Sequence, residues 1–165
     1  EAWAIDRDLE GQMVSSMGAL GFKAEALSKV LHRPEYRRFV SAMKNSRESD
    51  GVRSPVSLDA STSESLLDQG LCYLLVLKPA YVRLSKDTMD GSGAVDLPSV
   101  LIIHELGRNQ VLYSQPFSIG GELAWGDSPR NVEGDRFKLL RENLPAWLGN
   151  AIELQFPHLF NLPKK

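Results

Sequence analysis

Between Leu71 and Ile119 the chain carries three apolar runs separated by short polar breaks, and no other stretch restricts the fold as much. The first reads LCYLLVLKPAYVRL from Leu71 to Leu84, and the next VLIIHEL from Val100 to Leu106. The third, VLYSQPFSI, runs from Val111 to Ile119. Runs of this length, rich in Val, Ile and Tyr and bounded by glycine-bearing turns, predict strands of a sheet with at least one buried face. Val100 to Leu106 is nearly all apolar, the pattern of a central strand covered on both sides. Gly107 to Gln110 closes a hairpin. Beyond it Val111, Tyr113, Gln115, Phe117 and Ile119 alternate with Leu112, Ser114, Pro116 and Ser118, so one side is more apolar. Pro79 bends the first strand or places it at an edge, because proline has no N–H to give a ladder. Asp90-Gly91 marks the turn between the first two runs.

Helices flank this sheet in the sequence. Asp6 caps a helix to about Leu20, with Gly21 placed to stop it. A helical pattern resumes at Ala26, Leu27, Val30 and Leu31. Pro34 then opens another helix whose apolar side is Tyr36, Phe39, Val40 and Met43. Residues 45–64 read as a long polar loop, or as a loop holding one short strand from Val56 to Leu58, and Ser63 to Asp68 suggests a short helix leading into the first strand. Gly120 to Gly134 is a second loop. A closing helix from Asp135 to about Leu154 buries Phe137, Leu140, Leu144, Leu148, Ala151 and Ile152, and Pro145 must kink or restart it. Trp147 and Phe156 are expected to pack, with Phe160 left open. The expectation is a single α/β domain (α+β remains open): a mixed sheet of about four strands with helices packed on it.

At 165 residues and 42% hydrophobic the chain is long enough for a core of its own. Its net charge of −2 argues against a general nucleic-acid binder. No apolar run approaches the ~20 residues that cross a bilayer. The chain starts at Glu1 without a methionine, which fits a processed form or a trimmed piece. A membrane tether through a removed N-terminal segment fits the first of these.

Chemistry-bearing patterns are sparse. The lone Cys72 sits in an apolar run and reads as a small buried hydrophobe. His104-Glu105 begins like a zinc-protease helix, but Arg108 stands where the second histidine belongs and the segment reads as strand. His32 and His158 lack ligand spacing. Asp90-Gly-Ser-Gly93 has neither the Lys-Ser/Thr ending of a phosphate loop nor the strand–turn–helix order of a dinucleotide site. No cofactor, metal or small-molecule substrate is indicated. If the chain is an enzyme, His104, Glu105 and Asp90 are the candidates, assembled from a distance.

Charge is more informative. From Lys29 to Arg53 seven basic residues face three acidic ones, a local +4 in a chain of net −2. Arg33, Arg37, Arg38, Arg47 and Arg53 are the candidate partner-binding residues, for an acidic protein, an anionic polymer or lipid head groups. The bland alternative is a solvated helix face.

The order of helix, polar loop, long strand, hairpin and closing helix, with the hairpin VLIIHELGRNQVLYS from Val100 to Ser114, resembles a group of bacterial envelope lipoproteins. These are built on the fold shared by the TolB amino-terminal domain, the curli secretion channel protein and the outer-membrane activators of peptidoglycan synthases. In them a short "Asp/Asn, Gly, Glu/Gln, Val" turn precedes a strand with a hydroxyl residue and an aromatic. Asn109-Gln110-Val111 and Tyr113-Ser114 match that pattern, and Leu67 to Leu74 resembles the lead into the first strand. The likeness covers about Leu66 to Ile152, and it lacks the opening strand and the lipid-modified cysteine. It implies a non-catalytic accessory or assembly protein in the periplasm or on the periplasmic face of the outer membrane, with a protein partner or self-assembly. An immunity or inhibitor protein that binds a toxin is the alternative. The families share a scaffold and no active site, so no functional residues transfer.

Overall fold

The structure is a computed structural model that describes residues 5–45, 58–86, 93–123 and 138–159. Its helices are α1 (Ile5–Ala19), α2 (Leu27–Val30), α3 (Arg33–Asn45), α4 (Ala60–Asp68) and α5 (Lys138–Leu159). Its strands are β1 (Tyr73–Pro79), β2 (Arg83–Lys86), β3 (Gly93–Glu105) and β4 (Gln110–Leu123). This is the expected α/β architecture, a four-stranded sheet with helices, but the sheet is antiparallel where a mixed one was expected, because its long strands are joined by a tight hairpin and not by a crossover helix. β3 is central: β1 pairs antiparallel with its second half, β2 antiparallel with its first, and β4 lies along its other side. Contacts divide the chain into two compact units. One is Leu27–Pro79 with Ser99–Pro116, the other Glu1–Ala26 with Ala80–Pro98 and Phe117–Lys165.

In the first unit, Leu74 and Val76 of β1 stand opposite His104 and Ile102 of β3. Opposed residues share a face, and this face meets Leu31, Leu58 and Leu66, with Leu27, Tyr36 and Phe39 packed around them. α3 thus turns Tyr36 and Phe39, both half-buried, onto this core from the apolar side its spacing predicts; the Met43 side chain lies outside what the structure describes. Pro34 sits in its first turn, where a missing N–H costs nothing. α4 begins at Ala60, so residues 60–64 are helical rather than the end of a loop. Its start is set by Asp59, whose carboxylate accepts the Thr62 N–H at 2.8 Å and the Ser61 hydroxyl at 2.7 Å. Its end is set by Gly70 at φ +77°, with Leu71 N–H bonded to Leu66 C=O and Gly70 N–H to Leu67 C=O. That is a Schellman termination, which favours glycine at the left-handed position. Residues 46–57, and with them most of the expected Val56–Leu58 strand, lie outside the described residues; Leu58 itself is not in a strand.

The Asp59 carboxyl is held below its ordinary value of 3.8, chiefly by the Ser61 and Thr62 hydrogen bonds and further by the charge of Arg38. A carboxylate with a lowered folded-state pKa stabilises above its unfolded value, and that contribution is lost as pH falls through the folded value. Asp59→Ala should therefore lower the thermal midpoint at neutral pH, and the gap from the parent chain should close in acid. A gap that persists unchanged below pH 3.8 would show that the cap acts by some other route.

In the second unit α1 packs along α5. Leu140, Leu144, Leu148, Ile152 and Phe156 recur every fourth residue and are all buried, giving α5 one continuous apolar stripe. Leu9 and Met17 of α1 are buried in the same unit. Val95 and Leu97 of β3 and Phe117 and Ile119 of β4 are buried too, with Phe117 and Phe156 edge-on at 6.0 Å between ring centroids. Trp147 and Phe156 both pack, as expected, whereas Phe160 lies outside the described residues. α5 continues through Pro145 and on through Pro157 to Leu159, instead of restarting at Pro145. Pro145 is exposed, and the ladder loses one bond opposite a fully buried side that holds the helix in place. β4 likewise runs on to Leu123, past the expected loop start at Gly120. On the outer face of this part of the sheet the Asp96 carboxylate joins the Arg83 guanidinium on β2 to the Ser118 hydroxyl on β4, tying three strands together.

Candidate functional site

The candidate arginines divide into three groups. Arg33 and Arg37 are exposed on α3, one turn apart. Arg38, also exposed, acts electrostatically on Asp59, the cap of α4. Arg47 and Arg53 lie outside the described residues.

His104 is 1% exposed on the core face of β3. Its Nε2 lies 3.0 Å from the Asn109 side-chain oxygen. An amide oxygen only accepts, so Nε2 is the donor, and the buried Nδ1 has no hydrogen-bond partner among the described residues. Asn109 reaches this place because it turns the hairpin at φ +49°, a left-handed conformation that asparagine tolerates. Successive side chains of a strand alternate, so Glu105 projects to the opposite face. There it accepts from Gln110 at 3.1 Å and lies 3.8 Å from Arg108. His104 and Glu105 thus form no dyad, and Asp90 lies outside the described residues. Among the described residues no three His, Cys, Asp or Glu side chains are grouped as metal ligands. The histidine belongs to the hairpin's internal bonding. Asn109→Gly keeps the left-handed turn and removes only this bond, and should cost about 1–2 kcal/mol in chemical unfolding. No change would mean that His104 finds another partner.

Cys72 departs from expectation. It is exposed, because β1 starts one residue later and Cys72 lies in the link from Gly70 to the strand. Its carbonyl accepts the Leu106 N–H at 2.9 Å.

That bond also sets which groups of β1 face outward. Antiparallel ladders alternate, so if Cys72 pairs by hydrogen bonds with Leu106, then Leu74, Val76 and Lys78 do the same with their partners on β3. The Ala80 N–H bonded to Pro98 C=O continues the series. Tyr73, Leu75 and Leu77 then direct their N–H and C=O groups away from β3. Among the described residues β1 pairs only with β3, so this edge carries no further strand. Pro79 falls on the outward-facing series, where its missing N–H leaves the β3 ladder intact. Tyr73, at 55% exposure, marks one end of the edge, and Leu112 of β4 is 51% exposed in the same unit. Sequence reading located the edge near Pro79 but not its direction, which depends on the register with β3.

No family model matches the chain, and no curated protein matches it. Among solved structures it is similar to the hypothetical protein CT253 from Chlamydia trachomatis, with 16% identity and a TM-score of 0.39, over 70% of this chain and 71% of that one. No helix among the described residues is long and apolar enough to cross a membrane.

Proposed function

We propose that this chain is a non-catalytic accessory or assembly protein of a bacterial envelope or secretion system, working through protein–protein contacts with a partner or with further copies of itself. The observation that carries the contact role is the outward edge of β1. Tyr73 to Leu77 contains no charge, proline or glycine, and natural sheets usually blunt such edges with these residues. An edge of this kind accepts an extended segment of another chain by main-chain hydrogen bonds. The envelope setting rests on the hairpin resemblance from Val100 to Ser114.

The test uses the full chain with a photo-reactive side chain at Tyr73, crosslinked in bacterial cells. A discrete crosslinked species is expected, and Leu75→Pro should abolish it, since that change removes an outward N–H and none from the β3 ladder. Circular dichroism verifies that the variant stays folded. If a folded Leu75→Pro chain crosslinks undiminished, or Tyr73 gives no species at all, the reading is wrong.

A further inference from the structure

The outward edge of β1 has two ends, both set by the chain itself. At one end the Leu71 N–H is already given to the Leu66 C=O in the turn that closes α4. At the other, Pro79 has no N–H to give. Between them Tyr73, Leu75 and Leu77 each turn a donor and an acceptor outward, an array symmetric about Leu75. An antiparallel copy of the same segment, related by a two-fold axis at Leu75, sets Tyr73 against Leu77, Leu75 against itself and Leu77 against Tyr73. Residues opposed in this way exchange two hydrogen bonds, about six in all, within the roughly 5–15 of a specific interface. Shifting the axis spoils the match. At Leu74 it opposes Leu77 to Leu71, whose N–H is taken. At Val76 it opposes Tyr73 to Pro79, and the Tyr73 carbonyl finds no donor.

Side chains agree with the same axis. Tyr73 is exposed, Leu75 and Leu77 are half-buried, and all three stand on one face of β1. Across the axis they meet as Tyr73 with Leu77 and Leu75 with Leu75, an apolar row continued from one copy into the next. Lys78 is the one charge between Gly70 and Ala80. Antiparallel pairing lays it beside the other copy's Cys72 and keeps the two lysines at opposite ends.

We infer that the occupant of this edge is a second copy of the chain, the two β1 strands pairing antiparallel about a two-fold axis at Leu75. The inference rests on the contact role proposed above for the β1 edge and names its partner. Such an interface is closed, because each copy offers the same surface to the other.

The experiment is sedimentation equilibrium of the purified full chain at about 100 µM, well above the micromolar weak end of specific association, with disulfide trapping to read the register. A dimer is expected. Leu75→Pro, verified as folded by circular dichroism, should weaken it about tenfold or more, since each copy loses an N–H at the axis. In a Cys72→Ser chain, Leu75→Cys should link into a dimer on mild oxidation, because residue 75 alone meets itself. Leu112→Cys in the same background, exposed but on β4, should stay unlinked. So should the parent chain, whose exposed Cys72 faces Lys78 across the axis. The cysteine variants keep every main-chain donor of β1, so they test the axis even where Leu75→Pro fails to fold. A monomer at that concentration overturns the inference. So does a folded Leu75→Pro chain that dimerises as tightly as the parent, or a Leu75→Cys chain that links no more than Leu112→Cys. A monomer that still crosslinks through Tyr73 to a different protein in cells removes the second copy and leaves the contact reading standing, so the two fail separately.

Discussion

Phe156→Ala should lower the unfolding free energy by about 3–5 kcal/mol, the range for removing a large aromatic from a packed interior. Phe156 is 0% exposed, ends the four-residue apolar stripe of α5, and meets the Phe117 ring at an interplanar angle of 61°. Truncation removes the burial of the ring and the edge-on contact, and it leaves a cavity among side chains fixed by β4 and α5. Equilibrium denaturation in urea measures the loss directly. Leu154→Ala is the control on the same helix: it is 72% exposed and should shift stability by no more than about 0.5 kcal/mol. Equal effects of the two changes would mean that α5 does not present the stripe described.

Gly120→Val should cost about 3 kcal/mol, at the upper end of what overpacking does. Intrinsic preference argues for the opposite sign, since valine is favoured and glycine disfavoured in strands. Space decides the matter. A Cβ on Gly120 would lie 2.4 Å from the Val95 carbonyl oxygen and 3.1 Å from the Asp96 Cα, both main-chain atoms that cannot rotate away. Accommodation requires β3 and β4 to separate beside the Asp96–Ser118 hydrogen bond. Gly107 is the comparison: an added Cβ meets nothing within 4 Å and its φ is not left-handed, so Gly107→Ala should be close to neutral. A thermal midpoint for Gly120→Val at or above that of the parent chain would contradict the close approach of the two strands.

The core was legible because it rests on composition along a run. Val100 to Leu106 could be little other than a central strand, and α5 follows from leucines every fourth residue. Features set by a single contact were not legible. Cys72 adjoins the same apolar run, yet the exact start of β1 leaves it in a link and exposed. Residues 60–64 are rich in hydroxyls, as loops are, and only the Asp59 cap converts them to helix; an acid three residues before a hydroxyl residue is a usable signal for that. The cost of Pro145 to an isolated helix is legible in the sequence, whereas the packing of α5 that outweighs it is tertiary. For the candidate site, the sequence marks α3 as basic, but nothing local separates Arg38 from Arg33 and Arg37. That separation depends on where Asp59 comes to lie, which is a tertiary fact.

Pro79 gives the β1 edge a length as well as a direction. A strand laid against the outward groups finds both a donor and an acceptor at Tyr73, Leu75 and Leu77, and at Pro79 an acceptor alone. The proline acts as a ruler: it ends the ladder at one fixed residue, so a guest that slips past it loses bonds and gains none. Such an edge reads the position of an incoming segment along its length.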